Sequence, residues 1–259
     1  MSNEQKKYIF NIKLKKLLVL FTQIFILILI LFLWQYLSDK KIINSFITSS
    51  PLKIIKTINN LYMQNNLFNH IFITLKECII SFILTTIISF IIAVIMLYNN
   101  FIAKVIEPYL IVLNSLPKVA LGPIIIIWIG ANQKAIIVMA LLISLIVSIQ
   151  NLYNGFISTD KLKIKLLKTF NASSFDILIN VIIPSNKENI YSTLKINLSM
   201  CLIGIIMGEF LTSKAGIGHL ILYGSQVFNL DLVMSGIFIL TIISILLYLI
   251  INTIKKIFE

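Results

Sequence analysis

The sequence contains no arginine: all 22 of its basic residues are lysines. Arginine is the side chain that grips phosphate, sulfonate or carboxylate groups at two points, so the chain has no obvious bidentate clamp for an anion. Basic patches interleaved with aromatic residues are also missing, which argues against nucleic acid as a partner. The formal net charge of +12 instead fits lysines that mark the loops of a membrane protein.

Cysteine and catalytic motifs are equally scarce. Cys78 and Cys201 lie within apolar runs and are interpreted as small core residues rather than as a disulfide or metal pair. The sequence has no G-x-x-x-x-G-K-S/T phosphate loop and no H-E-x-x-H, G-x-S-x-G or C-x-x-C motif. We therefore expect a chain that is not an enzyme, binds no cofactor or metal, and takes its energy from a partner.

Long apolar runs dominate what is present. The chain is 58% hydrophobic over 259 residues, which is more apolar surface than a soluble domain of this length can hide. Each run is continuous rather than alternating, which favours helices over a barrel. We predict an all-α membrane protein of one domain, residues 17–254, with six transmembrane helices at about 17–37, 71–97, 105–129, 135–157, 189–211 and 232–254. The first run is interpreted as an uncleaved span.

Lysines predict the orientation. They cluster in the N-terminal tail 1–16, in the polar segment 158–188 and in the C-terminal tail 255–259, and six spans put these three places on one side. The positive-inside rule makes that side cytoplasmic. On the opposite side, Ser50–Pro51 predicts the start of an amphipathic helix lying on the outer face. Its apolar positions would be Leu52, Ile55, Ile58 and Tyr62.

The polar segment 158–188, called here the 158–188 hairpin, predicts two helices joined by a turn. Thr159 or Asp160 can cap the first helix, and Asn171 tolerates the left-handed conformation that ends it. Ser173 and Asp176 have the spacing of a capping box for the second helix. Pro184 is expected to stop that helix. In the first helix, Leu162, Leu166 and Phe170 form an apolar stripe beside a basic stripe of Lys161, Lys165 and Lys168.

The hairpin resembles the cytoplasmic coupling loop of ABC importer permeases, which has the form E-A-A-x(3)-G-x(9)-I-x-L-P. Asn171 stands at the glycine position, and Val181, Ile183 and Pro184 stand at the positions of I, L and P. Lys165-Leu166-Leu167 replaces E-A-A, and Ala172-Ser173 follows the turn as in many members. The resemblance assigns coupling to an ATPase to six residues: Lys165, Lys168, Asn171, Ala172, Ser173 and Pro184.

Further signatures resemble the sulfonate/nitrate/taurine class of these permeases. The stretch 114–123, followed by 127–130, is similar to that class's third span, and 208–210 with 216–221 is similar to the end of its fifth span and its outer loop. Ser50–Pro51, His70 and Thr74–Leu75 fit as well. Together these signatures cover roughly residues 45–250. The resemblance implies a bacterial plasma membrane, a homodimer of two permease copies, two ATP-binding cassette subunits and an extracytoplasmic solute-binding protein.

A translocation pathway or gate is predicted where the spans are broken or carry a buried charge. Pro117 and Pro123 remove backbone donors and kink the third span, and Gly122 and Gly130 allow close helix approach. Glu209 is the acidic residue that stands out within an apolar run, and it either serves the pathway or makes a structural hydrogen bond. The predicted pathway or gate residues are Ser115, Pro117, Gly122, Pro123 and Glu209. His70 and His219 are interpreted as interfacial polar residues.

The resemblance implies a permease subunit of an ATP-driven ABC importer for a small solute, which forms the translocation pathway by alternating access. Two other functions remain open at this stage. An ion-driven secondary transporter would need several intramembrane coupling groups. The membrane component of a vitamin importer without a soluble binding protein would also dock an ATPase, but the class signatures argue against it. The class serves small anions such as sulfonates and nitrate, and also thiamine-precursor pyrimidines and riboflavin. The missing arginine favours solutes other than sulfonate.

Overall fold

A computed structural model of the chain describes residues 3–64, 66–212 and 214–258. All regular structure in these ranges is helical. A 3₁₀ turn is present at Lys118–Leu121, and a π-helical turn is present at Leu178–Ile182. The helices in chain order are α1 Asn3–Asp39, α2 Ser45–Thr48, α3 Pro51–Met63, α4 Leu67–Tyr98, α5 Asn100–Ser115, α6 Gly122–Ile129, α7 Gln133–Ile157, α8 Lys161–Thr169, α9 Ser174–Ile177, α10 Ile183–Ser185, α11 Lys187–Thr212, α12 Ile217–Gln226 and α13 Leu230–Phe258.

In the described ranges, five helices are long and apolar enough to cross a membrane, which confirms the all-α membrane architecture. They are α4, α7, α11, residues Leu17–Asp39 of α1 and residues Leu230–Lys256 of α13. The helix α5 and the stretch Lys118–Ile129 are bent by 88° relative to each other. If the two count as one broken span, they form a sixth crossing. The third apolar run of the sequence is therefore two helices that meet at nearly a right angle.

Proline chemistry explains the position of this bend. Leu116 is extended, with φ −69° and ψ 142°, because the ring of Pro117 disfavours a helical conformation in the residue before it. Pro123 behaves differently from the prediction. It lies in the first turn of α6, where its missing N–H leaves no hydrogen bond unmade, so it begins a helix instead of kinking one.

The centre of the bundle is α7, which packs between α4 and α11. Glycines make the α7–α11 approach close: a Cβ on Gly204 would come within 2.5 Å of the Ala140 Cα, and one on Gly208 within 2.9 Å of the Ile136 Cα. Gly122 also lies at a close approach, against Leu211 and Met139. Gly130 does not, because it ends α6 in a turn with φ 90°.

Apolar side chains remain exposed where lipid is the expected solvent. In the apolar stretch Leu17–Asp39 of α1, the most apolar 18-residue window has no residue buried against the rest of the described chain. The N–H of Leu52 in α3 donates to the side chain of Gln35 in α1 at 3.1 Å. In α3 the predicted cap is present, since Ser50 precedes Pro51 and accepts from the Lys53 N–H. The predicted apolar stripe of α3 is exposed at Leu52, Ile55 and Tyr62, while Ile54 is buried.

The 158–188 hairpin folds as its capping residues predict. Asp160 caps α8 through the Leu162 N–H, and Ser173 and Asp176 form a reciprocal capping box at α9. Asn171 has φ 55°, the left-handed conformation predicted for the glycine position. The hydroxyl and backbone N–H of Ser173 both donate to Asp176, and these bonds hold the pKa of the Asp176 carboxyl below its ordinary value.

Pro184 does not stop the second helix of the hairpin, contrary to the prediction. The chain stays helical through Pro184 to Ser185 and turns at Asn186, with φ −108°. The π-helical turn directly before Ile183 widens the helix, and a widened turn accommodates a proline whose ring would otherwise meet the carbonyl four residues back. Asn186 then donates from its side chain to Thr159 and so joins the two ends of the hairpin.

Asn171 offers a test of the turn. Replacing Asn171 with valine should destabilise the hairpin by about 1–3 kcal/mol, because a β-branched residue is strained at positive φ, whereas Asn171→Gly should keep the turn. Limited proteolysis within residues 158–188 measures the effect. Equal protease resistance of the valine and glycine variants would contradict the assignment.

Candidate functional site

A buried carboxylate joins three helices at one end of the bundle. The side chain of Glu209 in α11 is fully buried. One of its oxygens accepts the Thr74 hydroxyl of α4 at 2.6 Å, and the other accepts the Gly218 N–H of α12 at 2.5 Å. These bonds support the structural alternative for Glu209, since they fix α4, α11 and the start of α12 to one another.

The Gly216–Gly218 turn, residues 216–218 at the start of α12, is fitted closely around this carboxylate. Gly216 has φ 118°, a conformation that side chains rarely adopt, and a Cβ there would collide with the Glu209 carboxylate. A Cβ on Gly218 would come within 2.7 Å of a Glu209 oxygen. Both glycines are therefore required by the close approach of backbone to carboxylate.

The N–H groups of the turn find further acceptors on α4. The Ile217 N–H donates to the Thr74 hydroxyl at 2.9 Å, and the Gly216 N–H donates to Nδ1 of His70 at 2.9 Å. The His219 ring stacks on His70 with centroids 6.2 Å apart. His70 and His219 thus belong to the packing of the turn, and His70 is more than the interfacial polar residue that the sequence suggests.

A second buried carboxyl, Glu77 of α4, was missed by the sequence reasoning. It is only 2% exposed, and its carboxyl group contacts that of Glu209 and the side chain of Gln133. It borders a cleft of about 450 Å³ that Lys76, Asn132, Gln133 and Lys214 also line. The signal in the sequence is a polar stripe at helical spacing, which faces the bundle interior along α4: Thr74, Glu77, Ser81, Thr85 and Ser89.

The remaining residues predicted for a pathway lie at the bend between α5 and α6. Ser115 is exposed, and its hydroxyl donates to the Val112 carbonyl of its own helix at 2.7 Å. Pro117 and Pro123 flank the 3₁₀ turn, and Lys118 donates to Asn114 at 3.0 Å. Gly122 packs against Leu211 of α11, the helix that carries Glu209. A pathway role for these residues stays a prediction.

The 158–188 hairpin presents a row of large apolar side chains that are mostly exposed in the described part of the chain. Ile164, Leu167 and Ala172 pack into the core cluster that contains Phe156 and Ile177. The stripe on the other face of α8 is exposed: Leu162 is 75% exposed, Leu166 58% and Phe170 74%. Phe175 is exposed at the start of α9, and Lys165 and Lys168 are exposed beside the stripe. We call Leu162, Leu166, Phe170 and Phe175 the hairpin apolar patch.

Thr74 allows a test of the hydrogen bonds around Glu209. Thr74→Val should lower stability, because it leaves a Glu209 oxygen without this donor and the buried Ile217 N–H without its acceptor, at about 1–3 kcal/mol for each such group. Thr74→Ser keeps the hydroxyl and is the matched control. Thermal unfolding of the purified chain in detergent measures both, and a valine variant as stable as the serine variant would contradict these assignments.

Within the described residues, the all-helical architecture with five or six apolar crossings is that of a polytopic membrane protein. Residues 85–259, more than half of the chain, match the family described as binding-protein-dependent transport system inner membrane component. The chain belongs to this family, and it is a multi-pass protein of the plasma membrane. Members are transport components of ABC transporters rather than enzymes.

Individual relatives agree with this family. A Haemophilus influenzae chain named as a probable ABC transporter permease protein is 27% identical over 219 residues, which cover 85% of this chain and 89% of the relative. The formylaminopyrimidine transport permease protein ThiX of Halalkalibacterium halodurans is 24% identical over 219 residues, covering 85% and 87%. A Bacillus subtilis relative named for aliphatic sulfonates transport is 22% identical over 214 residues, covering 83% and 78%.

A solved structure is similar in fold. The crystal structure of an amino acid ABC transporter with histidines aligns with a TM-score of 0.58 and 16% identity, covering 82% of this chain and 98% of that chain. The expectation of an ABC permease subunit for a small solute is thereby confirmed, and nothing in the comparisons indicates a secondary transporter. The match to a binding-protein-dependent family also argues against a vitamin importer that lacks a soluble binding protein.

Proposed function

We propose that the chain is one of two identical permease subunits of an ABC importer, and that its 158–188 hairpin docks on an ATP-binding cassette subunit. The observation that carries this proposal is the hairpin apolar patch: four large apolar side chains stand exposed on a short, well-capped helical pair with lysines beside them. An exposed apolar patch rimmed by polar residues is typical of a protein interface.

The fold suggests how movement at the hairpin would reach the rest of the chain. The second half of the hairpin runs through Ser185 and Asn186 directly into α11, which carries Glu209 near its far end. A helix of 26 residues is about 39 Å long at 1.5 Å per residue, long enough to cross the membrane. Closure of two ATPases would move the hairpins together, and α11 would transmit that movement to the Gly216–Gly218 turn.

The orientation follows from the same proposal. The hairpin and both tails face the cytoplasm, as the lysine distribution predicts, and the Gly216–Gly218 turn lies toward the outer face, where a solute-binding protein would deliver its ligand. Relatives are named for solutes as different as aliphatic sulfonates and formylaminopyrimidine. The absence of arginine favours a solute other than a sulfonate, and a cognate binding protein that binds sulfonate alone would refute this preference.

Purification of the tagged chain from native membranes in a mild detergent tests the proposal. We expect an ATP-binding cassette subunit to co-purify in equal amount with the permease, and the complex to hydrolyse ATP. A chain that is intact and monodisperse, yet brings down no ATPase from cells that express its neighbours, would refute it.

A further inference from the structure

Two carboxyl groups from different helices meet in the interior of the chain. Glu77 of α4 is 2% exposed and Glu209 of α11 is fully buried, and their carboxyl groups contact each other. Two ionised carboxylates this close repel each other, and burial makes the repulsion stronger than it would be in water. A proton on either of them replaces the repulsion with a hydrogen bond. Pairs of carboxyl groups elsewhere share a proton for this reason.

The hydrogen-bond donors around the pair are distributed unequally. Glu209 receives the Thr74 hydroxyl and the Gly218 N–H, one on each oxygen, and the His219 N–H contacts it as well. Glu77 has the Gln133 side chain nearby, but its Oε2 is buried and has no hydrogen-bond partner within the described ranges. Donors stabilise a carboxylate, so the negative charge belongs on Glu209.

The charged groups around the pair do not neutralise Glu77. Lys76 and Lys214 line the adjoining cleft, but among the described residues neither forms an ion pair with Glu77. His70 of α4 accepts the Gly216 N–H and stacks on the His219 ring of α12, so both rings pack against the Gly216–Gly218 turn. On the α7 side the nearest polar groups lining the cleft are the uncharged side chains of Asn132 and Gln133.

We propose that Glu77 and Glu209 form a proton-binding site, in which one proton, carried by Glu77, bridges to the Glu209 carboxylate and holds the Gly216–Gly218 turn onto α4 and α11. The ligand is a proton that exchanges with solvent through the adjoining cleft. Its loss leaves two carboxylates in contact, which separates α4 from α11 and loosens the turn. The proposal does not depend on docking of an ATPase.

Infrared spectroscopy of the purified full-length chain, in a detergent without ester groups, tests the proposal. The wild type should show the carbonyl band of a buried protonated carboxylic acid at neutral pH, and this band should disappear as the pH is raised. Glu77→Gln should lack the band. Glu107→Gln removes an exposed carboxyl of α5 and should leave the band unchanged. A wild type without the band at neutral pH would overturn the proposal.

Stability measured across pH separates the roles of the two residues. Wild-type stability should fall as the pH is raised and the Glu77–Glu209 pair loses its proton. Glu77→Gln should be as stable as the wild type at neutral pH and should not show this fall, because its amide N–H donates to Glu209 and cannot titrate. Glu209→Gln should be less stable at every pH, since it replaces one acceptor oxygen with an NH₂ group. Wild-type stability that depends on sodium rather than on pH would indicate a bridging cation and refute the proton.

Discussion

Replacing Phe170 with aspartate should release the ATP-binding subunit from the permease while the permease stays folded. The Phe170 ring is 74% exposed and belongs to the hairpin apolar patch. Burial of a phenylalanine side chain contributes about 1.5–3 kcal/mol, and a charge facing the same surface would cost more. The affinity for the ATPase should therefore fall on the order of a hundredfold, measured as the amount of ATPase that co-purifies. Phe175→Asp should act in the same direction.

Phe228→Asp is the matched control for this experiment. Phe228 is 75% exposed in the connection between α12 and α13, away from the hairpin in sequence, and its φ of 55° suits aspartate. The control should retain the ATPase. Size-exclusion profiles should be the same for both variants and the wild type. Undiminished ATPase in the Phe170 variant, or equal loss in both, would remove the hairpin apolar patch from the proposed interface.

Gly216→Ala should be among the most destabilising small changes in the chain. It places a Cβ at φ 118° and drives it into the Glu209 carboxylate. Backbone strain alone costs about 1–3 kcal/mol, and displacement of the carboxylate breaks buried hydrogen bonds that cost about 1–3 kcal/mol each when left unmade. We expect poor yield and a large drop in the melting temperature.

Gly130→Ala separates strain from collision. Gly130 also has positive φ, at 90°, but the nearest atom to its added Cβ is the side-chain amide of Asn132 at 3.2 Å, which needs to shift by only a few tenths of an ångström. The Gly130→Ala variant should lose only the free energy that backbone strain costs, about 1–3 kcal/mol. Equal losses for the two alanine variants would show that the contact with Glu209 contributes nothing.

The long helices could be predicted from the sequence because one physical requirement decides them. A segment in lipid must satisfy its own backbone hydrogen bonds and must be apolar for about 20 residues, so hydropathy locates it. The runs 71–97, 135–157 and 189–211 lie within α4, α7 and α11, whose ends are within a few residues of the predicted ones. The right-angle bend after Ser115 could not be predicted, because Pro117 shows where a helix breaks but not the direction in which the chain continues.

Of the two paired carboxyl groups, Glu209 could be predicted from the sequence and Glu77 could not. Glu209 stands alone among apolar residues, and an ionisable group buried in a membrane protein pairs with another polar group. Glu77 follows Lys76 directly, so the sequence shows two adjacent charged residues and does not indicate which of them is buried. Consecutive helical residues point about 100° apart, which leaves Lys76 exposed and turns Glu77 inward. Only the packing of α4 against α7 and α11 decides which of them is buried.

In the 158–188 hairpin, the local turn and caps could be predicted from the sequence, but the face that packs onto the bundle could not. Its turn and caps are local, so Asp160, Asn171 and Ser173 could be assigned from residue type and spacing alone. The face that packs onto the bundle is a tertiary property. Ile164 and Leu167 bury toward the core, and the equally apolar Leu162 and Leu166 do not.

Photo-crosslinking in native membranes tests the central claim most directly. A photoreactive phenylalanine analogue at position 170 should crosslink to an ATP-binding cassette subunit, whose phosphate-binding loop identifies it by mass spectrometry. The same analogue at position 228 should not. Crosslinks from position 170 to lipid alone, or ATPase crosslinks from position 228, would contradict the account of this chain as a permease driven through its 158–188 hairpin.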